Sequence, residues 1–329
     1  SQNAYPIRIS VKEGTDMTSL APIFELTPGA TISPASGSVQ NFTTPVRYTV
    51  TSEDKAWHRV YAITAREQKA SNIPTTYHFE KVRIMQNVWQ EFYEEQDSGN
   101  ELTWASGNKG FKWAMSEAAT EDYPTTQIDN GKTGKCVKLE TRLTGDLGNM
   151  VGMPIAAGNL FIGSFDMLNA ITNPLSATRF GTPFYNKPLR LTGYYKYKAG
   201  EQFYENGEYT SRKDIFNIYA IFYDGVKYDS AGKGTDVTLD GNLPNQNYEH
   251  SSMVALALVS NPQETEGDEW KFFDIPFDYQ RYGKKIDEAR LAKGEYKIGI
   301  IFASSKDGAT FEGAPGSTLL IDEVELIYE

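Results

Sequence analysis

Catalytic side chains are scarce in this chain. One cysteine and three histidines in 329 residues leave little for a disulfide framework, a Cys/His zinc site or a His-activated nucleophile. Cys136 lies in "GKCVKLET", where an extended chain puts Cys136, Lys138 and Glu140 on one face and Val137, Leu139 and Thr141 on the other. No histidine lies near it in sequence, so it reads as a half-buried structural thiol. A lone thiol assigns no compartment, because many exported bacterial proteins lack disulfides. His58, His78 and His250 read as surface or turn residues. H-E-x-x-H and G-x-S-x-G are both missing. "SAGKGT" (Ser230 to Thr235) resembles a phosphate loop, but Gly234 follows Lys233 where Ser or Thr is required, so it reads as a flexible loop. No run has the length and apolarity of a transmembrane helix. The chain opens at "SQNAYPIRIS" without a signal peptide, as a mature or trimmed chain does. Cations are outnumbered, 32 Lys and Arg against 43 Asp and Glu, for a formal charge of -11. That balance argues against nucleic acid as a partner and otherwise speaks for solubility.

Aromatics are plentiful. Twenty tyrosines and seventeen phenylalanines, with many Thr and Val, favour strands over helices. The length suits two domains. Residues 1–70 read as a small all-β unit: "IRISV", "VRYTVTSED" and "HRVYAITA" alternate, and Pro-Gly and Ser-Gly turns punctuate the stretch between. Strands at this spacing form a sandwich. "REQKASNIPTTY" (Arg66 to Tyr77) is polar, contains proline and reads as a linker.

Residues 71–329 form the second expected domain. Its strongest strands are "LRLTGYYKYK", "DIFNIYAIFYD", "SMVALALVS", "EWKFFDIPFDY", "EYKIGIIFASS" and "STLLIDEVELIYE". There are two helix candidates. "KVRIMQNVWQEFYEEQ" spaces Val82, Met85, Val88, Trp89 and Phe92 near a helical period, although its Trp, Phe and Tyr also suit strands. "YGKKIDEARLAKG" gives a short turn or helix stopped by Gly294. Antiparallel strands with long loops over this length fit a jelly roll. Along "RLTGYYKYKAG" and the Leu189 before it, alternation sends Leu189, Leu191, Tyr195 and Tyr197 to the core and Arg190, Thr192, Tyr194, Lys196 and Lys198 outward. Gly193, on the core face, marks a bulge or a close neighbour.

Two family resemblances follow. Gly14 to Thr64, with Leu20, Pro28, Gly29, Pro34, Ser36, Gly37, Phe42, Tyr48 and Tyr61 as its fixed points, resembles the immunoglobulin-like β-sandwich repeats at the front of Bacteroidetes surface lipoproteins. Four segments of the second domain resemble the "putative carbohydrate metabolism domain" of Bacteroidetes: "WASGNKG", "AAGNLFIGSF", "RFGTPFYNKPLRLTGYYKYKAGE" and "IIFASSKDGATFEGAPGSTLLIDEVELIYE". The second resemblance implies a lectin-like or carbohydrate-binding-module-like β-sandwich. It also implies an exported protein of the cell surface, outer membrane or periplasm, with a lipid anchor on a removed N-terminus. It brings no catalytic residues.

Glycoside hydrolysis needs two carboxyls flanking one bond. Glu91, Glu94, Glu95 and Asp97 form one acidic run, and Asp322, Glu323 and Glu325 another. Alternation puts Glu323 and Glu325 on one face, best read as solvated, and Asp322 with Val324 on the other. The Glu-x-Asp-x-Glu strand motif of jelly-roll glycosidases is absent, and no catalytic residue is assigned. Glu80 near the start of the domain and Asp322 near its end could bridge neighbouring strands through a structural Ca²⁺, as in many carbohydrate-binding sandwiches. For glycan contact the candidates are Trp104 and Trp113 around the "SGNKG" turn, Asn159, Arg179 and Tyr194. Lys306, Asp307, Phe311 and Glu312 sit in a long loop that could border a groove. The expectation is an exported glycan-binding protein with no organic cofactor, with a glycoside hydrolase or an adhesin-like surface component as alternatives.

Overall fold

A computed structural model describes residues 4–96 and 99–329, so Asp97 lies outside the described residues. The chain forms two compact units, Ser1–Ala70 and Ser71–Tyr328. Both are built on β-sheets, and the fold is all-β.

The first unit carries one four-stranded sheet in the order Tyr5–Lys12, His58–Gln68, Val46–Thr51, Thr31–Ser33. Its first strand runs parallel to His58–Gln68. Tyr48, Ile63 and Ala65 face inward and meet Phe42 from an extended segment that bridges Leu20 to Gln40. Phe24 packs on Tyr48 at 4.8 Å. Among the described residues four buried apolar side chains make a small core, as expected for a unit of this size.

The second unit is a sandwich. One sheet runs Lys271–Pro276, Pro188–Lys198, Thr318–Tyr328, Lys135–Glu140, Thr125–Asp129, with Thr76–Tyr77 added against Thr318–Tyr328. The other runs Asn159–Phe161, Tyr296–Ala303, Asn217–Asp224, Met253–Leu258, with Thr182–Pro183 against Tyr296–Ala303. Leu191, Tyr195, Tyr197, Leu319 and Ile321 from the first sheet meet Ile218, Ala220, Phe222, Ile300 and Phe302 from the second. All six strong strands read from the sequence are strands. The first helix candidate is instead a hairpin, Val82–Met85 and Trp89–Glu95, turning at Gln86 and Asn87. Gln86 and Asn87 have positive φ (49° and 61°) and make, with Val88, a three-residue hairpin loop closed by the Val88 amide on the Met85 carbonyl at 3.0 Å. The apolar spacing there looked helical because side chains from both arms of the hairpin contribute to it. The second candidate is a short helix, Glu288–Leu291, capped by the Asp287 carboxylate on the Ala289 and Arg290 amides. "SAGKGT" forms the tip of another hairpin, between Val226–Tyr228 and Gly234–Asp236.

Gly193 has both of its expected features. The register slips between Thr192 and Tyr194, where Thr318–Tyr328 inserts an extra residue. A Cβ on Gly193 would lie 2.7 Å from the Phe273 ring and 2.9 Å from Val324. Glu323 absorbs the bulge with φ +48°. The bulge corrects the face assignment made by alternation: Asp322 pairs with Tyr194 on the outer face, while Val324 is buried in the core.

A buried carboxylate ties the sandwich to the connection between its strands Tyr296–Ala303 and Thr318–Tyr328. Asp214, 2% exposed, accepts hydrogen bonds from Ser305 Oγ (2.6 Å), Ser317 Oγ (2.7 Å), Ala314 N (2.8 Å) and Ile215 N (2.9 Å). Burial raises its pKa and the hydrogen bonds oppose the rise. Both ends of the 305–317 segment therefore hang on one side chain. Asp214→Ala leaves these donors unpaired and is expected to lower unfolding free energy by about 3 kcal/mol in urea melts. A change below about 1 kcal/mol would remove Asp214 from that role.

Candidate functional site

The second sheet is apolar on both faces. Seven of the eight residues of Asn217–Asp224 are buried, which requires cover on the side away from the sandwich core. Phe161, Phe180, Tyr219, Ile221, Leu239 and Ile301 form that second cluster. The covering segments do not fill the space. A cavity of about 180 Å³ remains between the sheet, the helix Asn108–Ala114, the helix Met167–Thr172 and the loop around residues 305–311. Its aromatic wall is Phe111, Trp113, Phe161, Phe165, Phe180, Tyr219 and Phe311. Phe161 and Phe180 meet edge-on at 5.3 Å, and Phe180 meets Tyr219 edge-on at 6.3 Å, which fixes the ring directions.

Few polar groups reach this wall. Asn159 Oδ1 accepts the Gly107 amide at 2.7 Å and so positions the start of the Trp113 helix. Asn159 Nδ2 makes only a long contact of 3.4 Å to the Ala157 carbonyl, which leaves donor capacity facing the cavity. Asn217, 3% exposed, donates to the Tyr248 hydroxyl at 2.9 Å. Thr144, Thr178, Ser305 and Lys306 also contribute to the lining. Among the described lining residues none is Asp or Glu.

The five candidate contact residues separate. Trp113, 38% exposed, and Asn159 meet in the cavity wall. Lys306 and Phe311 of the long loop join them there. Arg179 lies exposed on the strand Thr178–Phe180, whose Thr178 and Phe180 enter the wall, so period two turns Arg179 away. Trp104 is 1% exposed and packs against Tyr77 at 5.0 Å, Phe79 at 5.7 Å and Phe302 at 5.9 Å. It is a core residue with no face for a ligand; the glycine-containing turn beside it does not bring it to the surface. Tyr194 is on the outer face of the other sheet, as alternation required, with Phe272 beside it at 5.2 Å and the Lys132 ammonium over its ring at 4.9 Å. The sequence reading missed Phe161, Phe165, Phe180 and Tyr219. The signal was the unbroken apolarity of "NIYAIFY", which indicates a strand covered on both faces.

Glu80 and Asp322 do converge, on one loop. Glu80 Oε1 accepts the Lys135 amide at 2.8 Å, and Asp322 Oδ2 accepts the Thr133 amide at 3.0 Å. Asp322 Oδ1 accepts the Glu323 amide at 2.9 Å. Calcium takes six to eight oxygens, and amide hydrogens aimed at these carboxylates suit an anion better than a cation cage. No group of three or more acidic, His or Cys side chains placed to hold a metal occurs among the described residues. As arranged, these residues do not fit a calcium site. Cys136 beside them is buried, and burial, with the Asp322 charge adding to it, pushes its thiol up to about 12, far from a nucleophile. His78 Nδ1 lies 3.0 Å from Glu323 Oε2 at the surface. Of the acidic run, Glu94 accepts the Phe79 amide at 2.8 Å and Glu95 pairs with Lys81 at 2.6 Å.

The chain belongs to the family described as "putative carbohydrate metabolism domain", whose model matches residues 78–327. A second model, "SGBP, N-terminal", matches residues 1–65. The chain is similar to a crystal structure described as a putative glycoside hydrolase from Bacteroides vulgatus ATCC 8482, with 50% identity and a TM-score of 0.73. That match covers 79% of this chain and 100% of the other. It is also similar to one described in the same words from Bacteroides thetaiotaomicron VPI-5482, with 46% identity, a TM-score of 0.70 and coverage of 99% and 91%. No curated protein matches the chain.

Two outcomes follow for the Asp322 loop. Burial, with the Glu323 charge adding to it, pushes Asp322 up to about 6 from an ordinary value of 3.8. Folding then takes up a proton between those values, so the stabilisation is complete below about pH 4 and is lost as pH rises through about 6. Asp322→Asn is expected to flatten that part of the stability profile in urea melts; an unchanged slope would place the proton elsewhere. EDTA is expected to leave Tm unchanged, and a fall of several degrees would restore the cation.

Proposed function

We propose that the second unit binds glycan without turning it over, in the cavity walled by Trp113, Phe165 and Asn159. One observation carries this reading: aromatic rings converge with amide groups on a lining that holds no carboxylate among its described residues. Rings take the apolar face of a sugar and amides read its hydroxyls. Hydrolysis by the usual route needs two carboxyls across the scissile bond. The carbohydrate-related family description supports the same substrate class. In this reading the protein is exported to the cell surface, and the first unit acts as a spacer or docking unit.

A second reading, glycoside hydrolysis, is favoured by a separate groove of about 700 Å³ beyond the same helix. Glu117, Asp122 and Glu140 line it with Arg142. Glu140 is held by Lys138 and Arg142, each at 3.1 Å. Both solved relatives are described as putative glycoside hydrolases. Reducing-sugar release that disappears in Glu117→Gln, Asp122→Asn or Glu140→Gln would select it.

For the first reading, a glycan array followed by calorimetry is expected to show binding without product. Trp113→Ala should weaken it roughly tenfold, the scale of about 1.5 kcal/mol for one aromatic contact. Trp104→Ala should instead cost about 3–5 kcal/mol of stability and leave the affinity of the folded fraction unchanged. Equal binding by Trp113→Ala and wild type would move the site out of the cavity.

A further inference from the structure

The cavity wall has one charged side chain among its described residues, and it is cationic. Lys306 is exposed and therefore at the rim, while the rest of the lining is neutral. This is the reverse of the chain as a whole, in which Asp and Glu outnumber Lys and Arg 43 to 32. No acidic side chain neutralises Lys306 among the described residues: Asp307, next in sequence, pairs with Arg212, and Asp214 is consumed by Ser305, Ser317 and Ala314. Fixed backbone holds it in place, since the Lys306 amide donates to the Ile215 carbonyl at 2.8 Å.

Size and donor balance narrow the ligand further. A volume of about 180 Å³ is below the roughly 300–1,000 Å³ of drug-sized pockets, which suits one ring rather than a length of chain. Carboxylates, the strongest acceptors for sugar hydroxyls, are missing from the wall. Donors are present in Lys306 Nζ, the under-used Asn159 Nδ2 and the Thr178 hydroxyl. A ring with an added anionic acceptor complements such a wall; a ring with hydroxyls alone offers the ammonium only neutral acceptors.

We propose that the cavity selects a sugar ring bearing an anionic substituent, a carboxylate or a sulfate, which Lys306 engages at the rim. The inference rests on the cavity being the glycan site. Calorimetry on the full chain with a uronic-acid oligosaccharide, a sulfated oligosaccharide and their neutral parent tests it, and the first two separate carboxylate from sulfate. At least one anionic ligand should bind at least tenfold more tightly than the neutral parent, since a charge-assisted contact is of that order. Lys306→Gln should erase the preference, bringing the anionic ligands down to the affinity of the neutral parent, and Lys306→Arg should keep it. Lys306 is exposed, so an unchanged Tm is the expected control for folding. A neutral parent that binds as well as both anionic ligands, with Lys306→Gln silent, overturns the inference and leaves the glycan reading standing. No binding by any of the three, in wild type as in Trp113→Ala, overturns both.

Discussion

A sheet with two apolar faces governs this molecule. Asn217–Asp224 and Tyr296–Ala303 are hydrophobic on successive positions rather than alternate ones, so burying one face against the sandwich core leaves the other exposed. At about 25 cal/mol per Å² of apolar surface, such a face must be covered. Irregular chain does the covering, through the strand Thr178–Phe180, short helices, and Leu239, Leu243 and Tyr248. Short helices and loops pack less evenly on a pleated sheet than a second sheet does. The cavity is what that mismatch leaves, walled by aromatic side chains of both the sheet and its cover.

Cover of this kind must also satisfy its own backbone, and a few polar side chains do it. Asp214 serves the 305–317 segment. Thr141 Oγ1 meets Ser304 and Ser305 at 2.7 and 2.6 Å. Asn108, fully buried, exchanges hydrogen bonds with Thr125 at 2.7 and 3.1 Å, and Asn159 fixes Gly107. Asp214, Asn108 and Asn159 each place an acceptor oxygen where a backbone amide would otherwise be buried alone, and Thr141 joins two serine hydroxyls. The same residues hold the wall that carries Trp113 and Lys306. Stability and site geometry are thus coupled through few side chains, and the helix that presents Trp113 depends on Asn108 and Asn159 for its position.

Much of the fold was legible because strands announce themselves by period and composition. "RLTGYYKYKAG" sorted correctly into buried Tyr195 and Tyr197 and an outward Tyr194, and Gly193 marked its bulge from one side only. The partner strand gave no such sign. Glu323 takes a left-handed conformation with an ordinary side chain, so alternation misassigned Asp322 and Val324. Hairpin and helix were confused where the loop from Gln86 to Val88 lacked glycine. The candidate cavity was half legible. Asn159 and Trp113 were reachable from local context, but Trp104 sits beside the same polar turn and is buried. Depth depends on which segments fold over a residue, and a local window does not contain them.

The charge of the chain bears directly on how an anionic ligand could be held. A formal charge of -11 repels such a ligand at a distance, so steering does not favour its approach. Screening limits that field to about 8 Å at physiological salt, whereas a contact at the rim acts at hydrogen-bond distance beside a low-dielectric aromatic wall. Salt then works in opposite directions on the two effects, easing the approach and weakening the contact. An affinity nearly flat in salt is therefore compatible with a real Lys306 contact, and the substitution is the more decisive observable. The same balance offers discrimination. An anionic chain without a ring that fits meets the net repulsion and gains nothing in return, while one that seats its ring gains both wall and ammonium.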